Sequence, residues 1–337
     1  KPTQQSVNLL QQRGIFPDII IGRSPEFLTK EIKTKISNFC DVKPEAVITG
    51  LDVDDIYEIP IIFEREGLPE NIHKKLNIYS PPDLRKWKKL VENIRKPDRE
   101  ITIAMCGKYT KLEDSYASII ESFNHCSAHL RCKINLKWVE TTELKDASSL
   151  DDIDGLVVPG GFGSRGTEGK IEGIRLAREK NIPFLGLCLG LQLAVIEFAR
   201  HVCGLDDANS TEMNAKTPHP VIDILPEQLT VTEKGGTMRL GSYPALLSEG
   251  SVVHSLYGTL EVSERHRHRY EVNPEYHEAL QEKGMVFSGM SPNGNLVEFV
   301  ELPDLKFFCA TQAHPELKSR MESPAPLFFG FVKACMG

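Results

Sequence analysis

A cysteine placed between two glycines is the residue of this sequence whose type and surroundings most clearly permit covalent chemistry. Cys188 lies in the stretch GLCLG (186–190), which follows an apolar segment and precedes a helical pattern. Flanking glycines let the backbone turn sharply enough to push one side chain out of a sheet, as in a nucleophile elbow. A helix N-terminus favours a thiolate, and the N–H of Leu189 could donate to an oxyanion. The pattern predicts a nucleophile for acyl transfer, whereas the other seven cysteines are predicted to be small buried side chains.

A base for this cysteine is offered by the stretch QAHPE (312–316) at the end of a predicted C-terminal strand. His314 and Glu316 are two residues apart, so the alternation of a strand can place both on one side. Pro315 biases His314 towards an extended backbone, which lets Glu316 reach one imidazole nitrogen while the other faces Cys188. A His-Pro-Glu tripeptide alone fits a surface loop equally well. Together with Cys188 it predicts a triad in which Glu316 orients the base.

A glycine-rich loop, PGGFGSRG (159–166), lies between a predicted strand and a predicted helix. Gly161, Gly163 and Gly166 satisfy the G-x-G-x-x-G spacing of a dinucleotide site. That interpretation requires an acidic residue at the end of the next strand, and this strand ends at Cys188 instead. We favour a loop whose backbone approaches a substrate carbonyl, with Gly161 as a second oxyanion donor beside Leu189. A plain tight turn remains an alternative.

A short basic run, ERHRHRY (264–270), stands out in a chain whose net charge is −7. The acidic residues are spread along the sequence, which gives no indication of a nucleic-acid surface. In such a chain the run is better suited to a small anion such as an amino-acid carboxylate, which the planar fork of arginine pairs through two bonds. Glu212 in ANSTE (208–212) is a candidate partner for the substrate ammonium, although taken alone it is simply a loop acid.

The elements that must position these residues alternate between strand and helix from residue 101 onward. The predicted strands are 101–106, 134–139, 155–158, 182–187 and 307–312, with helices at 115–130, 170–180, 189–200 and 327–335 and a β-rich segment after Thr217. This alternation predicts an α/β fold with a doubly wound, mostly parallel sheet. The shorter mixed pattern before it indicates part of a second domain. We predict a domain at 1–95, a linker at 96–100 and a domain at 101–337.

Composition sets the broad class of protein. The chain has 337 residues and 40% hydrophobic content, which suits about two globular domains. Eight cysteines without CxxC pairs favour reduced thiols in a cytoplasmic protein, with neither zinc nor disulfides. No apolar run approaches the roughly 18 residues of a membrane span, and the start does not resemble a signal peptide. Because the chain opens on a polar segment without Met, we expect residue 1 to lie in the middle of a longer protein.

Six stretches together resemble the CTP synthase family, and the match covers essentially the whole chain. They are PGGFG (159–163), GLCLGLQ (186–192), ANSTE (208–212), GGTMRLG (235–241), ERHRHRYEVN (264–273) and HPE (314–316). The first, and the pair formed by Cys188 and HPE, would fit any class I glutamine amidotransferase. The others are particular to CTP synthases. The resemblance implies a flavodoxin-like amidotransferase domain preceded by the C-terminal part of a P-loop-type α/β synthetase domain.

The resemblance also implies roles for individual residues. Cys188 would attack glutamine, and His314 and Glu316 would complete a Cys-His-Glu triad. The residues implied to bind glutamine are Gly161, Leu189, Gly190, Leu191, Gln192, Glu212 and Arg269. Those implied to bind UTP or CTP are Lys1, Pro2, Thr3, Gln4 and Lys35, and those implied to bind ATP are Leu51, Asp52 and Val53.

Two residues depart from the family pattern. Leu191 replaces the usual Met, a volume-conserving change that should matter little. Ala313 stands where an aromatic residue usually precedes His-Pro-Glu, which we expect to loosen the packing around His314.

The implied activity is glutamine hydrolysis that supplies ammonia for the ATP-dependent amination of UTP to CTP. In the full-length enzyme this uses ATP and Mg²⁺, with GTP as allosteric activator, CTP as product inhibitor, and homotetramers and filaments as assemblies. The family's phosphate-binding loop and Mg²⁺-binding carboxylates have no counterpart here, so we expect this chain to hold no cofactor or metal and to form no CTP alone. Two alternatives stay open: a γ-glutamyl hydrolase or peptidase on the same scaffold, and a non-catalytic regulatory or filament-forming subunit.

Overall fold

The computed structural model describes residues 1–78, 80–107, 113–140, 150, 152–224 and 238–337. The chain forms two compact units, Lys1–Glu92 and Asn93–Gly337. The elements of the first unit are α1 (Pro2–Gln12), β1 (Ile20–Ser24), α2 (Lys30–Cys40), β2 (Val47–Leu51), α3 (Ile59–Arg65) and α4 (Leu68–Leu76). A further helix, α5 (Arg85–Arg95), begins in the first unit and ends in the second.

The smaller unit is built around the parallel pair of β1 and β2, in which Ile20 lies beside Val47. Its core contains Val7 of α1, Ile20 and Cys40 of α2. Thr29 caps α2 by accepting a hydrogen bond from the backbone N–H of Ile32, as an N-cap threonine commonly does. Parallel strands connected and covered by helices confirm that this region is also α/β.

The larger unit continues the alternation of strands and helices. Its elements in chain order are β3 (Arg99–Gly107), α6 (Ala117–Leu130), β4 (Cys132–Glu140), β5 (Gly155–Val158), α7 (Thr167–Glu179), β6 (Phe184–Leu187), α8 (Leu189–His201), β7 (Asn209–Ser210), β8 (Pro220–Ile224), β9 (Arg239–Leu247), α9 (Val252–Tyr257), β10 (Glu261–His268), β11 (Tyr270–Val272), α10 (His277–Glu282), β12 (Val286–Met290), β13 (Val297–Glu301), β14 (Phe308–Thr311) and α11 (Pro326–Cys335). The 3₁₀ turns are Pro44–Ala46, Ile56–Glu58, Glu113–Tyr116, Pro274–Tyr276 and Pro315–Leu317.

The segment predicted as a linker, 96–100, begins where α5 ends at Arg95. Arg99 and Glu100 within it already pair with Cys132 and Lys133 at the start of β3 and β4. Only residues 96–98 of this segment therefore lie outside helix and strand, because β3 already begins to pair with β4 at Arg99.

The main sheet contains nine strands in the described part of the chain, in the order β10-β9-β12-β13-β14-β6-β5-β3-β4. The five strands from β14 to β4 are parallel, which confirms the predicted doubly wound sheet at its centre. The β-rich segment adds β13, β12, β9 and β10, which pair antiparallel. A smaller sheet has the order β11-β8-β7.

The centre of the sheet is buried on both faces. Successive residues of β5 and β6 point to opposite sides, so Leu156 and Phe184 join a core cluster with α7 and α8, while Val157 and Leu185 join a cluster with α6 and α11. This double burial explains why these strands are continuous apolar runs in the sequence. The strands β5, β6 and β14 are neighbours and parallel, so their carboxyl ends meet at one edge.

The contact between α8 and β5 requires a glycine at position 190. A Cβ on Gly190 would lie 2.2 Å from the carbonyl oxygen of Val158. We expect Gly190→Ala to lower the free energy of unfolding by about 1–3 kcal/mol or more, because backbone atoms must move. Gly173→Ala on α7 is the control: its nearest neighbour would lie at 3.7 Å, and helix propensity should add up to about 1 kcal/mol. Equal free energies of unfolding for Gly190→Ala and Gly173→Ala in urea titrations would contradict the close contact between α8 and β5.

Candidate active site

Cys188 occupies a sharp turn between β6 and α8. Its φ of 51° and ψ of −99° lie in a region that costs energy for a residue with a side chain. Its backbone N–H donates to the carbonyl of Thr311 on β14 at 2.7 Å. A Cβ on Gly186 would meet the carbonyl carbon of Gly190 at 2.9 Å, which explains a glycine on each side of the cysteine. Neighbouring strands therefore hold the strained turn in place.

His314 and Glu316 follow β14 and lie beside this turn. The imidazole Nδ1 lies 2.7 Å from Glu316 Oε1, and Cys188, His314 and Glu316 line one cavity. The backbone N–H of His314 donates to the carbonyl of Arg265 on β10 at 2.7 Å. Because the carboxylate occupies Nδ1, Nε2 is the ring nitrogen available to the sulfur. The structure thus brings Cys188, His314 and Glu316 together.

The protonation of His314 follows from these contacts. Burial alone would lower its pKa, but hydrogen bonds to Cys188 and Glu316 and the charges of both groups raise the pKa to about 10. The imidazolium is therefore favoured at neutral pH and can donate a proton. Because the folded-state pKa lies above the ordinary 6.5, this group stabilises the fold fully below pH 6.5, and its contribution is lost as pH rises through about 10.

Two further residues contact this group and were missed by the sequence analysis. The side-chain amide of Gln312 donates towards Cys188 Sγ at 3.7 Å. A Cβ on Gly160 would lie 2.8 Å from His314 Cε1, so a larger residue would push the imidazole away. Gln312 lies in the QAHPE stretch and Gly160 in the PGGFGSRG stretch, but their positions beside Cys188 and His314 are visible only in the structure.

Two cavities meet at Cys188, Gly161 and Phe162. One, of about 270 Å³, is also lined by Gln192, Glu212, Met238, His268, Arg269 and Tyr270. The other, of about 370 Å³, is lined by the start of α6, Gly160, Arg267, His314 and Glu316. The smaller cavity therefore contains an acid and a guanidinium near the sulfur, which is the polarity that a free amino acid requires.

The residues implied to bind glutamine differ in what they present to this cavity. Glu212 Oε1 accepts a hydrogen bond from the Gly163 N–H at 3.0 Å, which ties its loop to the glycine loop. Gln192 lines the cavity and donates to the Tyr270 carbonyl at 3.0 Å. The side chains of Leu189 and Leu191 pack into the core, so these residues have only their backbone to offer a ligand. Gly161 lies against Leu189, where a Cβ would be 3.4 Å from Leu189 Cδ2.

Ala313, which stands where the family usually has an aromatic residue, directly precedes His314. Ala313 is buried, and its N–H donates to Thr311 Oγ1 at 3.1 Å. The main chain that leads to His314 is therefore anchored locally despite the small side chain.

The basic run does not form one positive face. Arg265 and Arg267 point outward on β10, whereas His266 and His268 are buried. This follows from the two-residue period of a strand. Only the end of the run, His268, Arg269 and Tyr270, lines the smaller cavity, and Arg269 is its one arginine there. Of the GGTMRLG stretch, 235–237 lie outside the described residues, and Met238 lines the same cavity.

The nucleotide-binding residues implied by resemblance lie in the smaller unit. Lys1, Thr3, Gln4 and Lys35 line one cavity of about 510 Å³. Pro2 begins α1. The stretch Leu51–Val53 is not among the residues that line this cavity, and Asp52 accepts a hydrogen bond from Arg23 Nε at 2.6 Å. The structure therefore brings together the predicted pyrimidine-nucleotide residues and leaves the predicted adenine-contacting stretch elsewhere in the unit.

The described ranges contain no group of three or more His, Cys, Asp or Glu side chains that could hold a metal ion. None of the helices in the same ranges has both the length and the apolar character needed to cross a bilayer.

Two protein-family models match different parts of the chain. The family model for class-I glutamine amidotransferase matches residues 111–334, and the model for the CTP synthase N-terminus matches residues 1–78. The CTP synthase of Methanococcus maripaludis is 55% identical over 99% of this chain and 64% of its own length, and that of Archaeoglobus fulgidus is 51% identical over 100% and 63%. This chain thus spans just under two thirds of the length of these relatives.

One solved structure supports the fold of the larger unit. The glutaminase domain of Trypanosoma brucei CTPS with bound acivicin is 38% identical, with a TM-score of 0.66, over 70% of this chain and 94% of that one.

Proposed function

Because this chain belongs to the class-I glutamine amidotransferase family and is similar to CTP synthases along its whole length, we propose that its larger unit hydrolyses L-glutamine to glutamate and ammonia. Cys188 is the nucleophile, His314 transfers protons and Glu316 orients His314. The observation that carries this proposal is the strained turn at Cys188 beside the 2.7 Å contact between His314 and Glu316.

In the first half-reaction, the Cys188 thiolate attacks the side-chain amide carbon of glutamine. A C–S bond forms while the carbonyl π electrons move to oxygen, and the N–H groups of Gly161 and Leu189 hold the resulting oxyanion. The oxyanion then collapses, the C–N bond breaks, and the His314 imidazolium gives its proton to the departing nitrogen. Ammonia leaves and a thioester remains. The raised pKa of His314 supports this order, because the proton is already on the ring before attack.

In the second half-reaction, His314 is neutral and takes a proton from water as the water attacks the thioester carbon. The second oxyanion collapses with cleavage of the C–S bond, so glutamate leaves and the thiolate and imidazolium are restored. The hydrogen bond that His314 Nδ1–H donates to Glu316 keeps the ring oriented in both steps.

Substrate recognition is assigned to the smaller cavity. Arg269 pairs with the α-carboxylate of glutamine, and Glu212 attracts its α-ammonium group. Both residues line the cavity that contains Cys188, which supports a free amino acid as the substrate.

For the longer protein, we propose that the ammonia serves the ATP-dependent amination of UTP to CTP. The match of residues 1–78 to the CTP synthase N-terminus supports this, as does the cavity that Lys1, Thr3, Gln4 and Lys35 share. By resemblance to the family, UTP or CTP binds at that cavity and ATP binds near Leu51, Asp52 and Val53. The same resemblance supports activation by GTP and assembly into tetramers.

The alternatives are distinguished by the leaving group. We expect ammonia to be released from L-glutamine faster than alanine is released from γ-glutamyl-alanine, because the peptide's leaving group needs additional space beside Cys188. Release rates for both substrates, with and without GTP, would be measured on the same preparation. Faster turnover of the peptide would favour a γ-glutamyl hydrolase, and no turnover of either would favour a non-catalytic subunit.

A further inference from the structure

Arg269 lies at a corner where the chain passes from one sheet to the other. It is the single residue between β10 of the large sheet and β11 of the small sheet. On one side His268 pairs with Arg239 of β9, and on the other Tyr270 pairs with Ile224 of β8. The position of Arg269 therefore depends on how firmly the two sheets are joined at this corner.

One buried guanidinium joins them. Arg239 Nη2 lies 2.8 Å from Glu298 Oε1 on β13 of the large sheet, and its Nη1 lies 3.3 Å from Glu271 Oε1 on β11 of the small sheet. The side chains of Glu271 and Glu298 are each 1% exposed and that of Arg239 is 11% exposed. Arg239 also stacks over the ring of Tyr243 at 4.6 Å. A planar fork that contacts one carboxyl group on each sheet restrains both the distance and the angle between the sheets.

Two histidines extend this contact to the main chain beside Arg269. His268 Nδ1 lies 3.2 Å from the Tyr270 carbonyl, which can only accept, so this nitrogen donates. His268 Nε2 then accepts from His266 Nδ1 at 3.0 Å, and His266 Nε2 faces Glu298 Oε2 at 3.6 Å. Burial and then Arg239 lower the pKa of His266 to about 3, so the ring is neutral and its unprotonated Nε2 packs beside Glu298 without a hydrogen bond.

The same carbonyl also connects the corner to the nucleophile. Gln192 of α8 donates to the Tyr270 carbonyl at 3.0 Å, and α8 begins directly after Cys188. Restraints from both sheets and from α8 thus converge on the two residues that flank Arg269.

The charge balance of this cluster depends on Arg239. Burial, and then the neighbouring Glu298, raise the pKa of Glu271 to about 8 in spite of the guanidinium. Loss of Arg239 would leave two buried acids without a cation, and a buried pair that loses one partner is strongly destabilised. Arg239 itself is not among the residues that line the cavity, whereas its pairing partner His268 is.

We infer that Arg239 is a positioning residue that sets the affinity for the α-carboxylate of glutamine by holding Arg269 at the corner between the two sheets. The inference rests on the proposed glutaminase function and on Arg269 as the carboxylate partner. It assigns to Arg239 an effect on binding and none on the bond-breaking steps at Cys188.

The test uses the double variant Arg239→Met/Glu298→Gln, which removes the cation and one acid together. It leaves Glu271, whose pKa of about 8 already favours the protonated, neutral form at pH 7. We expect its KM for L-glutamine to rise about tenfold with kcat within about twofold of wild type. For 4-aminobutanamide, which is glutamine without its α-carboxylate, kcat/KM should be unchanged. In an Arg269→Met background, the double substitution should have no further effect on glutamine, because the two act on one contact.

The matched control is Arg178→Met/Glu197→Gln. This pair joins α7 to α8, with Arg178 Nη2 2.8 Å from a fully buried Glu197, and it should leave KM for glutamine unchanged. A loss of kcat/KM that is equal for both substrates, or that persists in the Arg269→Met background, would overturn the inference. Neither outcome bears on the proposed function, which fails only if glutamine turnover does not require Cys188.

Discussion

Replacing Cys188 with alanine is expected to lower kcat for glutamine hydrolysis by about 10⁵-fold or more, the size of effect found when a covalent nucleophile is removed. No other described side chain occupies the strained turn between β6 and α8, where the sulfur meets both cavities. The fold should be retained, because alanine only removes the sulfur. Ammonia release at saturating glutamine, with circular dichroism as a check on folding, measures the effect.

Cys203→Ala is the matched control for a lost thiol. Cys203 is partly buried, its Sγ contacts the Ala279 carbonyl at 3.6 Å, and burial raises its pKa. We expect wild-type activity from this variant. Residual activity of Cys188→Ala close to that of Cys203→Ala would show that the nucleophile is another residue.

Glu316→Gln is expected to lower kcat by about 10⁴-fold, the size of effect found for the orienting acid of other triads. It should also move the alkaline limb of the pH profile to lower pH. The reason is that the Glu316 carboxylate contributes both a hydrogen bond and a charge that raise the pKa of His314 to about 10. Without them the imidazolium loses its proton at lower pH, and the proton donor for ammonia is lost earlier. A kcat profile from pH 6 to pH 10.5 measures both effects.

The control for this change is Glu264→Gln. Glu264 is also a buried carboxyl group, but it accepts a hydrogen bond from the Tyr257 hydroxyl, and burial raises its pKa. No step of the proposed glutamine hydrolysis uses the charge of Glu264, so the activity of Glu264→Gln should stay within a few-fold of wild type. An unchanged alkaline limb in Glu316→Gln would contradict the assignment of that limb to His314.

The sequence predicted those parts of the fold that depend on local pattern. The strands β5, β6 and β14 are apolar throughout because both faces are covered, and such runs are visible without a structure. Their shared carboxyl edge then follows from parallel topology. This is why Cys188 and the His-Pro-Glu stretch could be predicted to lie close together although they are far apart in the chain.

Contacts that depend on strand register could not be predicted in the same way. The basic run was predicted to meet a small anion, but its sequence does not show that alternation on β10 buries His266 and His268 and turns Arg265 outward. The link between Arg239, Glu271 and Glu298 requires knowing which strands are neighbours and which sheet each belongs to. The hydrogen bond from the Gly163 N–H to Glu212 joins two loops. The need for glycine at position 160 follows from the place of His314, because a Cβ there would lie 2.8 Å from His314 Cε1. No periodicity in the sequence encodes these relations.

The most direct test of the proposed glutaminase is intact mass spectrometry after incubation with an electrophilic analogue of glutamine, comparing wild type with Cys188→Ala and with GTP present in both. We predict a single adduct on wild type and none on the variant, because the analogue must bind in the smaller cavity and react with the sulfur at its edge. An adduct that persists on Cys188→Ala, or no adduct on wild type, would contradict the assignment of Cys188 as the nucleophile of a glutamine-hydrolysing site.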